Sequence, residues 1–242
     1  MKVDYENLHG AGFFEEDFRP SVRARNVFIR DILKDIQGES VLDIGAGSGG
    51  FDRILEVNNS VVTMDLSLLA MKKAKNALLN PKCAVSSADS LPFKDNSFTI
   101  VMIMDVIEHI ENREAVLNEI YRILKKDGIL LISVPEDMKL YNSVDKEVGH
   151  FIRFTKNNLV DMLGNKFKVK WLSDLGYPFM RIYYKLLPLF HNRAIKMAEK
   201  EAGSFFVKLV SRIIYMFFFV DFLFRGNFKG ILIFGIFQKT EK

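Results

Sequence analysis

Residues 41–50, VLDIGAGSGG, constrain this chain more than any other segment. An apolar strand ends at Ile44, and a glycine-rich turn leads into a helix expected to begin near Gly49. Glycine is needed where a ligand approaches the backbone closely or where φ is positive. The helix start offers free N–H groups and the positive end of a dipole to a polar or anionic group. The segment predicts a strand–turn–helix unit that holds a ligand at its turn.

The rest of the chain repeats the same rhythm. Apolar runs at 40–45, 60–65, 82–86, 98–104 and 128–134 read as strands, separated by helical stretches at 49–57, 67–79 and 111–125. Strands apolar on both faces indicate a mostly parallel sheet covered on both sides. A helix over 16–37 precedes them, with Val27, Phe28, Ile32, Leu33 and Ile36 on its apolar side and Gly38 as its stop. A helix near 155–164, a strand near 167–173 and a final strand at 230–237 follow.

Two ligands compete for the turn. Gly45, Gly47 and Gly50 satisfy G-x-G-x-x-G, and Asp65 lies twenty residues beyond Gly45, as in a nicotinamide-dinucleotide site. Asp43 separates the readings. A carboxylate two places before the first glycine repels a pyrophosphate but favours a ligand carrying an ammonium and a sulfonium, such as S-adenosylmethionine (SAM).

Further segments, in order, resemble those of the class I SAM-dependent methyltransferases, in particular the group acting on small molecules. VLDIGAGSGG looks like that family's first motif and VVTMDLS its second. SSADSLPFKDNSFTIVMIMDVIEHI looks like the third and fourth, and LKKDGILLISVP like the turn and fifth strand. The resemblance covers about residues 38–173 and the final strand. It implies that Asp65 binds the ribose hydroxyls, Asp89 faces the adenine amino group and Asp105 lies beside the methionine moiety. The implied cofactor set is Asp43, Gly45, Ala46, Gly47, Gly49, Asp65, Leu66, Asp89, Ser90 and Asp105. Each acid also has a structural reading: a turn cap at Asp43, a solvated strand end at Asp65, an Asx-turn at Asp89, and a cap for a helix at 106–110 at Asp105.

Methyl transfer from a sulfonium needs donor and acceptor held in line and water excluded. Only an acceptor that must lose a proton needs a base. His150, in the loop after the fifth strand and just before the helix near Thr155, is the catalytic candidate; a histidine there occurs in many relatives, and a structural loop role is the rival. His109, beside Glu108, reads as structural, and the lack of His/Cys clusters argues against zinc, so no metal is expected. Tyr5, Phe13, Phe14 and Arg19 form either a lid over the cofactor or part of the N-terminal helix packing.

Net charge is +4, but residues 181–229 hold nine Lys/Arg against three Asp/Glu. Within that segment, FFVKLVSRIIYMFFFVDFLF (205–224) is the most apolar stretch. Its longest unbroken apolar run, Ile213 to Val220, is far short of the roughly 20 residues that span a bilayer. Ser204, Lys208, Ser211, Arg212 and Tyr215 share one helical side. The segment reads as a helix over the cleft or at a homodimer interface, or as a surface helix touching membrane or a lipid-like acceptor. Its apolar bulk excludes nucleic acid. The single Cys83 reads as a buried reduced thiol, and the N-terminal residues lack a signal-peptide pattern, so cytoplasmic residence, with peripheral membrane contact through 205–224, is the expectation.

The expected fold is α/β: a Rossmann-like, doubly wound, seven-stranded, mostly parallel sheet whose last strand runs antiparallel beside the fifth, with N-terminal helices and a C-terminal helical insertion. The boundaries expected are a lid at 1–37, the SAM-binding domain at 38–177, the insertion at 178–229 and the final strand from 230 to 242. The expected function is transfer of a methyl group to an O, N or C atom of a small, apolar or lipid-linked acceptor. The alternatives are a nicotinamide-dependent enzyme or a non-catalytic SAM-binding scaffold.

Overall fold

The computed structural model describes residues 20–189 and 205–241. Seven strands form one sheet: β1 (Ser40–Ile44), β2 (Ser60–Asp65), β3 (Cys83–Val85), β4 (Phe98–Met104), β5 (Leu124–Pro135), β6 (Phe167–Leu175) and β7 (Leu232–Lys239). Their order is β3-β2-β1-β4-β5-β7-β6. The first five run parallel, and β7 inserts antiparallel between β5 and β6, as the resemblance implied.

Alternation along the central strands feeds two cores. Leu42, Val101, Ile103, Leu130 and Ile132 point to one face, where α4 (Arg113–Ile123) and α6 (Lys156–Leu163) cover them. Val41, Ile100, Met102 and Leu131 point to the other, beneath α1 (Pro20–Leu33), the helix at 179–189 (α7) and α8 (Phe205–Val220). The helix α4 shows why such elements form. Asn112 caps its start by accepting from the Ala115 N–H at 3.2 Å, and Val116, Leu117, Ile120 and Ile123 share its buried side. Each such side chain contributes about 1.5–3 kcal/mol on burial. On α6 the Thr155 and Asn158 side chains cap reciprocally.

Several boundaries differ from the sequence reading. The helix after the glycine turn is one turn, α2 (Asp52–Leu55), because turns occupy 47–51. The helix expected to run to Gly38 ends at Leu33; Gly38 (φ +75°) instead turns the chain into β1. Strand β5 begins at Leu124, immediately after α4, because buried Leu124 already pairs with Phe98. Cys83 is half-buried, not buried, since β3 is an edge strand of three residues. Tyr215, assigned to the polar side of α8, packs inward with Ile214 and Phe218, and the Arg23 guanidinium lies 5.0 Å above its ring. Asp221, after α8, caps α7 by accepting from the Phe179 and Met180 N–H groups at 2.9 and 2.7 Å.

Among the described residues, no helix is long and apolar enough to cross a membrane.

Candidate active site

The carboxyl ends of β1, β2, β4 and β5 open into a cavity of about 750 Å³, at the point where strand order reverses between β1 and β4. Gly45 and Gly47 form its floor, with φ of +72° and +58°. A Cβ on Gly45 would lie 2.2 Å from Val106 Cγ2, so only glycine fits there. The Gly45 and Ala46 N–H groups donate to the Met64 carbonyl at 2.8 and 3.0 Å. Asp65 closes the loop from β2: Oδ2 accepts from Gly47 N–H at 2.9 Å and Oδ1 from Ser67 N–H at 2.8 Å. These bonds leave Asp65 acceptor capacity toward the cavity, which it lines with Leu66. Gly49 lies outside the lining; its Cα side faces Ala74 of α3 (Leu68–Ala77) and Leu78 just past that helix.

Asp43 lines the cavity yet is 2% exposed, and its Oδ1 has no hydrogen-bond partner among the described residues. Burial, then the charge of neighbouring Asp52, pushes its pKa well up. Asp52 is fully buried against the Thr63 and Asp43 side chains, and burial raises it to about 6. A buried carboxyl on the cavity wall with an unmet acceptor, at Asp43, favours a cationic group placed beside it. This donor set fits the ammonium of SAM and disfavours a pyrophosphate.

Asp105 stands at the end of β4 with φ +54° and projects into the cavity. Its carboxylate pairs with Arg25 and accepts from Ser133 Oγ at 2.8 Å. The short turn at 107–109 has Val106 at its cap position, with no side-chain cap bond, so the cleft position describes Asp105 and the helix-cap reading does not. Beyond the end of β3, Ser86, Ser87 and Ala88 line the cavity, whereas Asp89 and Ser90 are exposed and outside it. The segment is clamped from α4: Glu119 accepts from Leu91 N–H, and Arg122 donates to the Leu91 and Phe93 carbonyls.

The opposite end is built from side chains of three segments. Glu108, fully buried, has neither oxygen hydrogen-bonded among the described residues, and burial lifts it to about 8. His109 and His150 meet edge to face at 4.7 Å. Burial, with His150 beside it, lowers His109 to about 4. His150 Nδ1 lies 2.7 Å from Asp145 Oδ1. Burial raises Asp145, but its bonds to His150 and Arg153 outweigh this and keep it below the usual carboxylate range. Arg153, 2% exposed, donates through Nε to Asp145 at 2.9 Å and stacks over Tyr184 at 5.3 Å.

The structure thus brings Asp43, Gly45, Ala46, Gly47, Asp65, Leu66, Asp105 and His150 to one cavity, and leaves Gly49, Asp89 and Ser90 at its margin or beyond. Tyr5, Phe13, Phe14 and Arg19 lie outside the described residues. Sequence reasoning missed Arg25 and Asn26 on α1, and the roles of Glu108, Asp145 and Arg153. The one available signal was Arg153, a lone cation within the apolar run FIRF.

Comparison with known proteins agrees with this geometry. Residues 42–132 match the model of a methyltransferase domain. MJ0638 of Methanocaldococcus jannaschii, uncharacterized, is 39% identical over 171 residues, covering 63% of this chain and 73% of its own length. The ubiquinone/menaquinone biosynthesis C-methyltransferase UbiE of Hahella chejuensis is 32% identical over 105 residues, 39% of this chain and 42% of that protein. Among solved structures, phosphoethanolamine N-methyltransferase 2 of Haemonchus contortus, in complex with SAM, superposes with a TM-score of 0.64 at 18% identity, covering 99% of this chain and 61% of that one. The chain therefore spans less than half the UbiE sequence and less than two thirds of the nematode chain. The matched domain, the sheet order and a glycine turn flanked by Asp43 and Asp65 decide against the nicotinamide alternative: the chain belongs to the class I SAM-dependent methyltransferases.

Proposed function

We propose that this chain transfers a methyl group from SAM to a small, apolar acceptor bound at the His150 end of the cavity. The observation that carries the reading is the division of one cavity into two chemistries. Gly45, Gly47, Asp43 and Asp65 form a backbone-lined, anionic end, and His150, Arg153, Tyr184 and Met180 line the other. Bound SAM supplies an electrophilic methyl on a sulfonium. Asp43 faces its ammonium, Asp65 accepts from its ribose, and Ser86 to Ala88 flank its adenine; exposed Asp89 and Ser90 reach the adenine edge only if their loop folds inward. Asp105, paired with Arg25, borders the methionine moiety. His150, oriented by Asp145, positions the acceptor and receives a proton when the acceptor must lose one.

Calorimetry with SAM tests the cofactor half. Each charge-assisted bond is worth about 1.5–3 kcal/mol, so Asp65→Ala is expected to weaken SAM binding at least tenfold. An unchanged dissociation constant would remove Asp65 from the ribose site.

A second reading, peripheral membrane contact with a lipid-linked acceptor, is favoured by the outer side of the helical cover. Leu209, Ile213, Met216 and Val220 recur at helical spacing on α8 and are exposed, as are Ile182, Leu186 and Leu189 on α7. Exposed Lys185 and Arg212 border them. An apolar stripe edged by cations fits the interface of an anionic bilayer. The Lys208 and Ser211 side chains lie outside the described residues.

A further inference from the structure

We propose that Glu108, His109 and His150 hold a divalent transition-metal cation at the acceptor end of the cavity, with positions left open to an acceptor hydroxyl. The ligand atoms of these three residues all lie within 4.8 Å of one another, Glu108 and His109 on one turn and His150 on another about forty residues later. The site rests on three structural features.

The first is unmet acceptors. Asp145 Oδ1, 2.7 Å from His150 Nδ1, accepts from Nδ1–H, the tautomer of the neutral ring in which Nε2 carries a bare lone pair. Nε2 faces Glu108 Oε1 at 3.8 Å, too far for a hydrogen bond, and both Glu108 oxygens are buried without partners among the described residues. Two acceptors facing each other across a buried gap are reconciled by a cation between them. Ligand bonds of about 2.0–2.2 Å set tetrahedral ligand separations near 3.4 Å, so the side chains need shift by less than about 1 Å each.

The second is the supporting shell. A ligating histidine ordinarily gives its other ring N–H to a carboxylate, which fixes the tautomer. Asp145 does this for His150 and is itself held by Arg153 Nε (2.9 Å) and Asn142 N–H (2.9 Å). Tyr141 Oη donates to the His150 carbonyl at 2.7 Å, and Phe151 N–H donates to the Glu108 carbonyl at 2.9 Å, tying the two ligand segments together. Glycine 149 (φ +84°) sets the turn between α5 (Ser143–Val148) and His150.

The third is the ligand chemistry. Two imidazoles and one carboxylate suit zinc, manganese, iron or cobalt rather than calcium or magnesium. Three protein ligands leave a catalytic cation open to water or substrate. The residues lie on the cavity wall, so an acceptor hydroxyl reaches the open position from inside. A bound cation would acidify that hydroxyl, whose proton passes to solvent rather than to His150, since the cation occupies its Nε2. The oxygen's electron pair then forms the new C–O bond as the methyl–sulfur bond breaks and its pair returns to sulfur. This deepens the methyltransferase reading and specifies an oxygen acceptor. The role in catalysis rests on that reading; the capacity to hold a cation does not.

The test uses the whole chain, stripped with a chelator and titrated with Co²⁺, Mn²⁺ and Zn²⁺, with SAM affinity measured on the same preparation. One equivalent of cation is expected to bind with a dissociation constant on the order of 1 µM or tighter. Bound Co²⁺ is expected to show the visible bands of a low-coordinate site. His150→Ala and Glu108→Gln should each abolish the bands, and Asp145→Asn should weaken binding by about 10–100-fold. SAM affinity should hold in all three. Wild type that binds SAM but no stoichiometric cation overturns the proposal and leaves the protonated Glu108–His150 pair in its place. So does cation binding that survives His150→Ala. Loss of SAM binding by wild type would instead refute the cofactor reading, so the two failures are separable.

Discussion

The two ends of the cavity are made of different material. The proposed cofactor end is mostly backbone: Gly45, Ala46 and Gly47 leave open space there, and their N–H groups are tied down by the Met64 carbonyl and Asp65. The proposed acceptor end is mostly side chain: Glu108, His109, Asp145, His150 and Arg153 fill it. A backbone site depends on local conformation, so its requirements fall on consecutive residues. A side-chain site depends on tertiary placement, so its members are scattered. On the proposed reading, the first end holds the cofactor shared with the family and the second sets what is methylated.

The sharpest way to break this comparison is at Gly47. With φ +58° and its N–H committed to Asp65, Gly47 holds a left-handed backbone that a β-branched residue adopts only under strain. Gly47→Val is expected to weaken SAM binding by at least about 100-fold, or about 2.7 kcal/mol, while the sheet and the acceptor end stay folded. A folded variant that binds SAM normally in calorimetry would show that the floor of the cavity is not where the cofactor sits.

A smaller effect sharpens the electrostatic side of the contrast. Asp52 lies fully buried beneath the cofactor end and titrates at about 6, above its ordinary 3.8, because burial disfavours its charge. A carboxyl raised in the folded state supports stability only while protonated. That contribution is complete below pH 3.8 and is lost as pH rises through about 6. Asp52→Asn does not titrate, so it should stabilise the ligand-free protein by about 1–3 kcal/mol at pH 8 and far less at pH 4. It also removes the neighbouring charge that helps to raise Asp43. Melting curves across that range check it; a stabilisation equal at both pH values would mean that Asp52 is not the group strained by its charge.

The same contrast explains what could be read from the residues alone. Strands β1, β2 and β4 were legible nearly to the residue because buried strands are apolar on both faces and end at glycine or aspartate. The antiparallel place of β7 came only through family resemblance, since nothing in GILIFGIF states its partner. Gly45 and Gly47 were legible because steric need writes itself into the sequence. Gly49, Asp89 and Ser90 belong to the same motifs but lie off the cavity wall, since a motif also records packing: Gly49 makes room for Ala74 and Leu78. The absence of a His/Cys spacing argued against a metal, yet the adjacent Glu108 and His109 meet His150 from a segment about forty residues later. Arg25 pairs with Asp105 across eighty residues, a relation no window of sequence contains.

The smallest expected effect concerns the helical cover, where the comparison is between two sides of α8. Phe218 and Tyr215 face the core, and Met216, 69% exposed, faces out beside Ile213 and Val220. A cover that only closes the cleft has no use for an apolar outer side, whereas one that rests on a bilayer buries it. Each basic residue near an anionic surface contributes about 1 kcal/mol, and salt screens it within a Debye length of about 8 Å at physiological ionic strength. The full chain is therefore expected to co-sediment with vesicles containing anionic lipid, less at high salt and less on neutral vesicles. Arg212→Glu should reduce the bound fraction by about 1–2 kcal/mol in partitioning, and Met216→Ser by a comparable amount through lost apolar burial. Neither change touches the cavity, so SAM affinity should be unaltered in both. Sedimentation no greater than in vesicle-free controls would assign the outer stripe to another surface and take the lipid-linked acceptor with it, leaving the methyltransferase reading intact.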